Sequence, residues 1–294
     1  MNITIKNETL TVTISTHGAE MQSLQDVDGT EYLWNGDPAY WTGRAPNLFP
    51  YIGRLTDKKY VLNGKTYSMD IHGFAAQMEF AVEKQEDDAV TFLLEDNAAT
   101  LAMYPFRFAL RVNYRLSGTR LAITFTVENK NDQTMFFGLG GHPGFRVPLE
   151  RGLNFEDYLL EFGEAAVPVR IGISPTGFCS GLDAPFYLQD SLRLPLSHDL
   201  FDNDAIVLTN MADSVMLRRI CGKKALRVEY PDMRCLGIWH MPLTDAPYIC
   251  IEPWTSLPSR QGIIEDLSQQ RNLINLPSGQ IYNNAWAIEI VSQA

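Results

Sequence analysis

The chain has 294 residues, of which 45% are hydrophobic and 20% charged, a composition typical of globular rather than disordered proteins. Its 35 acidic and 24 basic residues give a formal charge of −11, so the surface should repel phosphate backbones, and nucleic-acid binding is not expected. No apolar stretch approaches the ~18 residues of a membrane helix, and residues 1–10 lack a signal-peptide pattern, so we expect a cytoplasmic protein without membrane contact.

Alternation of apolar and polar residues runs through the chain and predicts β-strands, because side chains two positions apart share one face of a strand. It occurs at 10–14, 90–94, 106–114, 121–127 and 286–290. Since Ser117-Gly118 offers a turn between the third and fourth of these runs, residues 106–127 are predicted to form a long antiparallel hairpin.

Turn residues and sparse helix signals complete the prediction of an all-β fold. Asn63-Gly64 stands between two strand-like runs, as in a type I′ hairpin, and residues 86–88 (EDD) separate two more. Short helices are expected only at 97–104, ended by Pro105, and within 262–275. No strand–helix alternation, phosphate-binding glycine motif or linker is found. Residues 1–294 are therefore predicted to form a single antiparallel β-sandwich domain whose concave face could take a small ligand.

The four cysteines are Cys179, Cys221, Cys235 and Cys250, and no pair has C-x-x-C spacing. A zinc ribbon or a redox dithiol is therefore not expected, and a core of this size needs no disulfides. We predict buried, reduced thiols, which fits a cytoplasmic protein.

Two histidines and one glutamate stand in unusual surroundings. His142 lies among four glycines in GLGGHPGF, and His72 follows the Asn-Gly hairpin in DIHGF. A histidine on such a loop can exchange protons near neutral pH, although a hydrogen-bonded structural histidine fits the same pattern. Glu252 is expected at the end of an apolar strand, where Pro253 stops the ladder. Burial would raise its pKa and suit a general base, and a salt-bridged structural glutamate is the alternative.

Arg54 and Asp204 are further candidates for ligand binding. A guanidinium can hold several hydroxyl oxygens at once, although Arg54 could equally be an ordinary surface arginine. Asp204 stands just before the apolar run 205–208, where a turn aspartate is the simplest explanation.

Five short segments resemble the aldose 1-epimerase family, most closely its LacX-like branch. They are FPYIGR at 49–54, IHGF at 71–74, YPF at 104–106, GHPGF at 141–145 and CIEPW at 250–254. Each is weak alone, but all five occur in the right order within a similarity over about residues 1–290. The resemblance implies a galactose-mutarotase-like β-supersandwich with few short helices. It also implies a sugar epimerase that uses no metal and no other cofactor.

The same resemblance implies roles for individual residues. Glu252 matches the general base and His142 the general acid, while His72 matches a second active-site histidine that binds the substrate and assists at the ring oxygen.

Three further residues match substrate-binding positions: Arg54, Asp204 and Trp254. Asp204 matches less securely, because Asp202 stands two residues away. Residues 255–259 (TSLPS) depart from the glycine and aspartate of the LacX-like branch, which leaves the preferred sugar open. The departure also allows a carbohydrate-binding or sensing module whose epimerase site is idle.

Two other functions stay open at this point. Lys58 and Lys59 could receive the phosphate of a hexose 6-phosphate, although the hairpin should expose them to solvent. Alternatively, His72, His142 and Glu252 could bind the metal of a hydrolase, but their spacing fits no short zinc motif. The expected partner is a small aldose, and the chain is expected to be a monomer or a homodimer joined through exposed sheet edges.

Overall fold

The computed structural model describes residues 1–292, which are 45% strand and 7% helix. The strands, in chain order, are β1 Asn2–Lys6, β2 Leu10–Ser15, β3 Met21–Asp26, β4 Asn47–Leu48, β5 Lys59–Leu62, β6 Lys65–Ser68, β7 Ala81–Gln85, β8 Ala89–Glu95, β9 Phe108–Ser117, β10 Arg120–Asn129, β11 Met135–Phe137, β12 Gly140–Gly141, β13 Gly144–Arg146, β14 Leu159–Phe162, β15 Val169–Arg170, β16 Ala184–Pro185, β17 Arg193–Pro195, β18 Ile206–Thr209, β19 Ser214–Arg218, β20 Lys224–Glu229, β21 Cys235–Trp239, β22 Tyr248–Trp254, β23 Glu265–Asp266, β24 Ile274–Leu276 and β25 Ile281–Ser292. The α-helix α1 spans Ala98–Met103, and short 3₁₀ segments lie at Thr56–Lys58, Ala75–Gln77, Phe155–Asp157 and His198–Phe201.

Two large antiparallel sheets dominate the architecture. One has nine strands in the order β17-β14-β19-β20-β25-β10-β9-β8-β7. The other has eight: β16-β15-β18-β21-β22-β12-β4 in order, with β13 also paired to β22. Smaller sheets are formed by β1-β2-β3, by β11-β24 and by β23-β5-β6, in which β23 and β5 are parallel. The prediction of an all-β fold with few short helices is confirmed.

The main core lies between the two large sheets. Leu121, Ile123 and Phe125 of β10 are fully buried in the same contiguous cluster as Ile249 and Ile251 of β22. Burial of each such side chain contributes roughly 1.5–3 kcal/mol, so this apolar layer sets which face of each strand points inward.

The eight-stranded sheet is also covered on its other face. All seven residues of β22 are buried, and because side chains alternate along a strand, Cys250, Glu252 and Trp254 point away from the main core. This outward face of β22 carries the candidate site.

Local sequence signals were accurate where short-range geometry decides the structure. Strands β9 and β10 form the predicted hairpin, and β5 and β6 flank Asn63 and Gly64, whose φ angles of 51° and 73° suit a type I′ turn. Helix α1 lies within the predicted 97–104 and starts with a capping box between Asn97 and Thr100. Among residues 1–292, no helix is long and apolar enough to span a membrane.

Two predictions were wrong. No helix forms within 262–275; the segment instead contributes β23 and the start of β24, and its buried Leu267 and Leu273 are six positions apart, which does not keep them on one helical face. All four thiols are free, as expected, but they are not all buried: Cys235 and Cys250 are, Cys179 is half-buried, and Cys221 is exposed in the turn after β19.

Candidate active site

A cavity of about 420 Å³ opens on the outward face of the eight-stranded sheet. All six site residues predicted from the sequence line it: Arg54, His72, His142, Asp204, Glu252 and Trp254. Asp202, the alternative to Asp204, is exposed outside this lining. The cavity is large enough for a small ligand, and its six candidate residues come from five separate stretches of chain.

Glu252 lies within β22 and not at its end, so that part of the prediction was wrong. The strand continues through Pro253, which pairs with Leu236 of β21, to Trp254. A proline is tolerated there because the neighbouring strand on the other side is interrupted: β12 pairs with β22 only at Trp254, and β13 pairs with it only at residues 248–250.

The interruption between β12 and β13 brings His142 beside Glu252. The pairings Gly140–Trp254 and Gly144–Cys250 share one antiparallel register, and continuing that register between them places His142 directly opposite Glu252. The side chains of such cross-strand neighbours are close enough to touch. Nε2 of His142 lies 3.2 Å from Oε2 of Glu252.

The glycines around His142 allow this close approach. A Cβ on Gly140 would lie 2.7 Å from the Pro253 carbonyl oxygen, and one on Gly141 would lie 2.7 Å from Cζ2 of Trp286. A side chain at Gly140 would therefore push the His142 turn away from β22, and one at Gly141 would clash with Trp286 of β25.

Burial shifts the protonation of both members of the pair. Glu252 is only 2% exposed, and desolvation, followed by the charge of Asp204, raises the pKa of its carboxyl well above the usual value of 4.5. The His142 side chain is 12% exposed, and desolvation, followed by the proximity of His72, lowers the pKa of its imidazole well below 6.5.

The two shifts have a joint consequence for the protons that the pair holds. Burial disfavours the doubly protonated cation and the fully deprotonated anion, because each carries a net charge out of water. Each shift therefore favours the state in which the pair holds a single proton. An arrangement of this kind can accept a proton at one atom and donate one at the other.

His72 is held in one orientation at the edge of the pair. Its Nδ1 accepts a hydrogen bond from the Gly53 backbone N–H at 3.1 Å, so neutral His72 carries its proton on Nε2 and can donate it. Desolvation, with help from the Arg54 charge, lowers its pKa to about 4. Its backbone adopts φ 62°, and the next residue, Gly73, packs so close to Phe49 that a Cβ would meet its carbonyl oxygen at 2.3 Å.

Arg54 and Asp204 also line the cavity. The Arg54 guanidinium makes no hydrogen bond or ion pair with any residue in 1–292. Oδ1 of Asp204 accepts a hydrogen bond from the Ala205 N–H at 2.9 Å, whereas Oδ2 of Asp204 has no partner in that part of the chain. Gly177, at φ 81°, gives the arginine room: a Cβ there would lie 2.9 Å from Nε of Arg54. The free N–H groups of Arg54 and the free Oδ2 of Asp204 are therefore available to a ligand in the same cavity.

Two tryptophans that the sequence analysis did not single out fix the His142 ring. Trp41 stacks on it with ring centroids 4.8 Å apart, and Trp239 meets its edge at 5.8 Å. Trp41 belongs to no strand and Trp239 ends β21, so no local pattern indicated a shared role. Together they leave the imidazole little rotational freedom.

Several buried polar atoms at the site lack hydrogen-bond partners within the described chain. They include Nδ1 of His142, Oε2 of Glu252 and Nε1 of Trp254. The 3.2 Å contact between His142 and Glu252 is not aligned as a hydrogen bond, so Oε2 stays unpaired within the described chain. Unpaired buried polar groups are costly in an ordinary core and are typical of functional sites.

One set of potential metal-ligand atoms adjoins the cavity. Atoms of His142, Cys250 and Glu252 lie within 4.8 Å of one another. His72, which the metal-hydrolase alternative required as the third ligand, does not belong to this set, and burial raises the pKa of the Cys250 thiol well above 9.0. Metal binding here would require removing that proton from a buried sulfur.

The chain was compared with known proteins and structures. The family model described as aldose 1-epimerase matches residues 1–255. Protein LacX (plasmid) of Lactococcus lactis subsp. lactis is 36% identical over 291 residues, which cover 95% of this chain and 97% of that protein.

Two solved structures resemble the chain over nearly its whole length. A galactose mutarotase related enzyme from Lactobacillus acidophilus superposes with a TM-score of 0.94 at 36% identity, covering 99% of this chain and 98% of that one. A galactose mutarotase-like protein from Lactobacillus casei ATCC 334 also gives a TM-score of 0.94, at 35% identity, covering 99% and 100%. The predicted galactose-mutarotase-like fold is confirmed.

Proposed function

The chain belongs to the aldose 1-epimerase family, and from this membership and the geometry of the cavity we propose that it interconverts the α and β anomers of a hexose. The observation that carries the proposal is the contact between Nε2 of His142 and Oε2 of Glu252 at the wall of a cavity lined by free hydrogen-bonding groups. Anomer exchange needs one base and one acid at two oxygens bonded to the same carbon. Two groups in contact can each reach one of those oxygens.

In the proposed mechanism, Glu252 removes the proton of the C1 hydroxyl while His142 donates a proton to the ring oxygen. The bond between C1 and the ring oxygen breaks, and C1 becomes an aldehyde. Rotation about the C1–C2 bond presents the other face of the carbonyl. The former ring hydroxyl then adds to C1, returns its proton to His142, and the carbonyl oxygen takes its proton back from Glu252. Each positioned proton transfer typically contributes about 10²–10⁴-fold.

The reactive form has the proton on His142 and a negative charge on Glu252. Burial of each group alone favours the opposite placement, a neutral carboxyl beside a neutral imidazole. The two forms hold the same number of protons and differ only in which group carries one, so neither requires a net proton from solvent. A C1 hydroxyl that donates to the carboxylate and a ring oxygen that accepts from the imidazolium both stabilise the charged form when the sugar binds.

The remaining residues position the sugar. The Nε2–H of His72 is free to donate to the ring oxygen or to a neighbouring hydroxyl, and its low pKa keeps it neutral at neutral pH. Arg54 donates to hydroxyl oxygens, Asp204 accepts from a hydroxyl through Oδ2, and Trp254 contributes its indole ring to the cavity wall that faces the sugar.

The test is polarimetry on freshly dissolved aldoses, with and without the protein. We expect accelerated approach to the equilibrium rotation with at least one hexose, and loss of the acceleration in Glu252→Gln with sugar binding retained in calorimetry. Sugar binding by the wild-type protein without acceleration of any aldose would instead identify a carbohydrate-binding module. Inactivation by a metal chelator would restore the metal-hydrolase alternative.

A further inference from the structure

A second pair of histidines, His198 and His240, lies outside the cavity lining. His240 follows directly on β21, between two residues that do line the cavity, Trp239 and Met241. It points to the other side of the chain, where it is fully buried against Phe201 with ring centroids 4.4 Å apart. A ligand in the cavity therefore does not touch His240, although the neighbours of His240 on both sides face that ligand.

Hydrogen bonds fix the protons of this pair. Nδ1 of His240 lies 2.8 Å from the Met241 carbonyl oxygen, which can only accept, so Nδ1 carries the proton and Nε2 is an acceptor. Nδ1 of His198 lies 3.2 Å from that Nε2 and must donate to it. Among residues 1–292, His198 is the sole hydrogen-bond partner of this atom. Desolvation lowers the pKa of His240 to about 4, so the arrangement persists at neutral pH.

His198 begins the segment that carries Asp204 to the cavity. A 3₁₀ turn over 198–201 is followed by a second turn, in which the Asp204 N–H donates to the Phe201 carbonyl oxygen at 3.0 Å. Asp204 then adopts φ 73°, and the pairing of β18 with β21 starts only at Ile206. Because the main-chain ladder does not extend to Asp204, the side-chain contacts of the 198–201 turn with His240 locate this residue.

The contact between the histidines admits one arrangement of this segment. A buried acceptor without a donor is unfavourable, so Nε2 of His240 selects the position in which Nδ1 of His198 meets it. Phe155 stacks on the His198 ring with centroids 4.3 Å apart and limits its rotation. Oε1 of Glu156 lies 3.7 Å from Nε2 of His198, too far for a hydrogen bond, and so does not compete for the ring.

We propose that His198 and His240 are positioning residues of the candidate site, whose mutual hydrogen bond places the Asp204 carboxylate at the cavity. The inference rests on the proposed function, in which Asp204 binds a sugar hydroxyl, and it adds two residues that touch no substrate. It has an electrostatic consequence as well. After desolvation, the charge of Asp204 is the next cause that raises the pKa of Glu252, so displacement of Asp204 should lower that pKa.

The test compares two replacements of His198, whose side chain is 27% exposed. His198→Leu removes the donor to His240, whereas His198→Asn keeps an N–H near the position of Nδ1. His17→Leu is the matched control, because His17 is an exposed histidine outside the cavity lining. Urea unfolding establishes that each variant folds, and His198→Ala takes the place of His198→Leu if the leucine is not accommodated.

The first measurement needs no sugar. A ¹³C NMR titration follows the carboxyl of Glu252, whose resonance is assigned by its absence in Glu252→Gln. We expect its pKa to fall in Asp204→Asn and in His198→Leu, because both remove the negative charge from its place beside Glu252. We expect His198→Asn and His17→Leu to leave it unchanged.

The second measurement is polarimetry with a sugar that the wild-type protein accelerates. Asp204→Asn should raise KM about tenfold and His198→Leu about fivefold, while kcat falls by less, because a hydroxyl contact is lost or weakened. The double variant should have the KM of Asp204→Asn alone, since His198 acts through Asp204. His198→Asn should restore KM to within about twofold of the wild type.

Three results would overturn the inference. One is an unchanged pKa of Glu252 in folded His198→Leu. Another is an equal effect of His198→Leu and His198→Asn, which would place the cause outside the hydrogen bond. The third is a fivefold rise in KM on adding His198→Leu to Asp204→Asn, which would separate the two residues. If no sugar is epimerised, the proposed function fails, and the titration of Glu252 still decides whether the histidines position Asp204.

Discussion

Replacement of Glu252 by glutamine gives the sharpest test of how the buried pair holds its proton. The substitution keeps the shape of the side chain and removes its ability to titrate. In the native protein the carboxyl is 2% exposed, and desolvation raises its pKa well above 4.5. The folded protein therefore holds a proton that the unfolded chain releases above about pH 4.5.

The sign and the size of the effect follow from this difference in bound protons. A raised folded-state pKa means that stability is fully present below the unfolded pKa and is lost as the pH rises toward the folded pKa. One proton contributes a slope of about 1.4 kcal/mol per pH unit in the free energy of unfolding. As the pH rises above about 4.5, the wild type should therefore lose unfolding free energy relative to Glu252→Gln. The loss should amount to at most about 1.4 kcal/mol per pH unit.

Glu265→Gln is the matched control, because Glu265 is a second buried glutamate with the opposite environment. Arg260 donates to both of its carboxylate oxygens, at 2.9 and 2.8 Å. Although partial burial opposes it, hydrogen bonding from Arg260 lowers the pKa of Glu265. A lowered folded-state pKa gives stability that is present above the unfolded value and lost as the pH falls through the folded value. Glu265→Gln should therefore be destabilising by a constant amount above about pH 4.5.

Urea unfolding of the three proteins at several pH values measures both effects, and polarimetry on the same samples measures activity. Glu252→Gln should lose about 10²–10⁴-fold in kcat. A stability difference between Glu252→Gln and the wild type that does not change with pH would refute the shared-proton reasoning. Activity within a few-fold of the wild type would remove Glu252 from the role of base.

Three further predictions concern the same site. His142→Asn should lower kcat by about 10²–10⁴-fold, while His17→Ala, a change at an exposed histidine far outside the cavity lining, should leave kcat within about twofold; comparable losses in both would contradict the choice of histidine. The wild-type kcat/KM should fall on the acid side with the lowered pKa of His142, well below 6.5, and on the alkaline side with the raised pKa of Glu252, well above 4.5, because burial opposes both gain and loss of a proton by the pair; an acid limb at or above pH 6.5 would argue against it. Gly141→Ala should destabilise the protein by about 1–3 kcal/mol in urea unfolding, since its Cβ would lie 2.7 Å from Trp286, and an unchanged midpoint would mean that the His142 turn can shift freely.

The sequence allowed prediction of those parts of the fold that neighbouring residues decide. Alternation identified the long hairpin, and Asn63-Gly64 identified the tight turn, because strand faces and positive φ angles are local properties. The prediction for 262–275 failed because the structure of this segment is set by a partner far along the chain: β23 pairs with β5. No property of residues 262–275 alone indicates that contact.

The candidate site could likewise be predicted only in part from the sequence. Single residues such as His142 and Glu252 could be selected from unusual surroundings and from the family resemblance, but their contact could not. Trp41 and Trp239, which pack against the His142 ring, carried no local signal. Packing of distant segments decides both the contact of the pair and the position of these two rings.

The position of the acid–base pair follows from strand register. His142 and Glu252 occupy opposite positions in one antiparallel register, so a one-residue slip of β22 would turn Glu252 toward the main core and Ile251 toward the cavity. Burial of an unpaired carboxyl among apolar side chains, together with loss of the isoleucine contacts, would cost several kcal/mol. The apolar layer on the inner face of β22 therefore fixes the geometry of the proton-transferring groups on its outer face. Substitutions in that inner layer should alter activity only if they shift the register of β22. In this way a site assembled from five distant stretches of chain depends on side chains that the substrate does not contact.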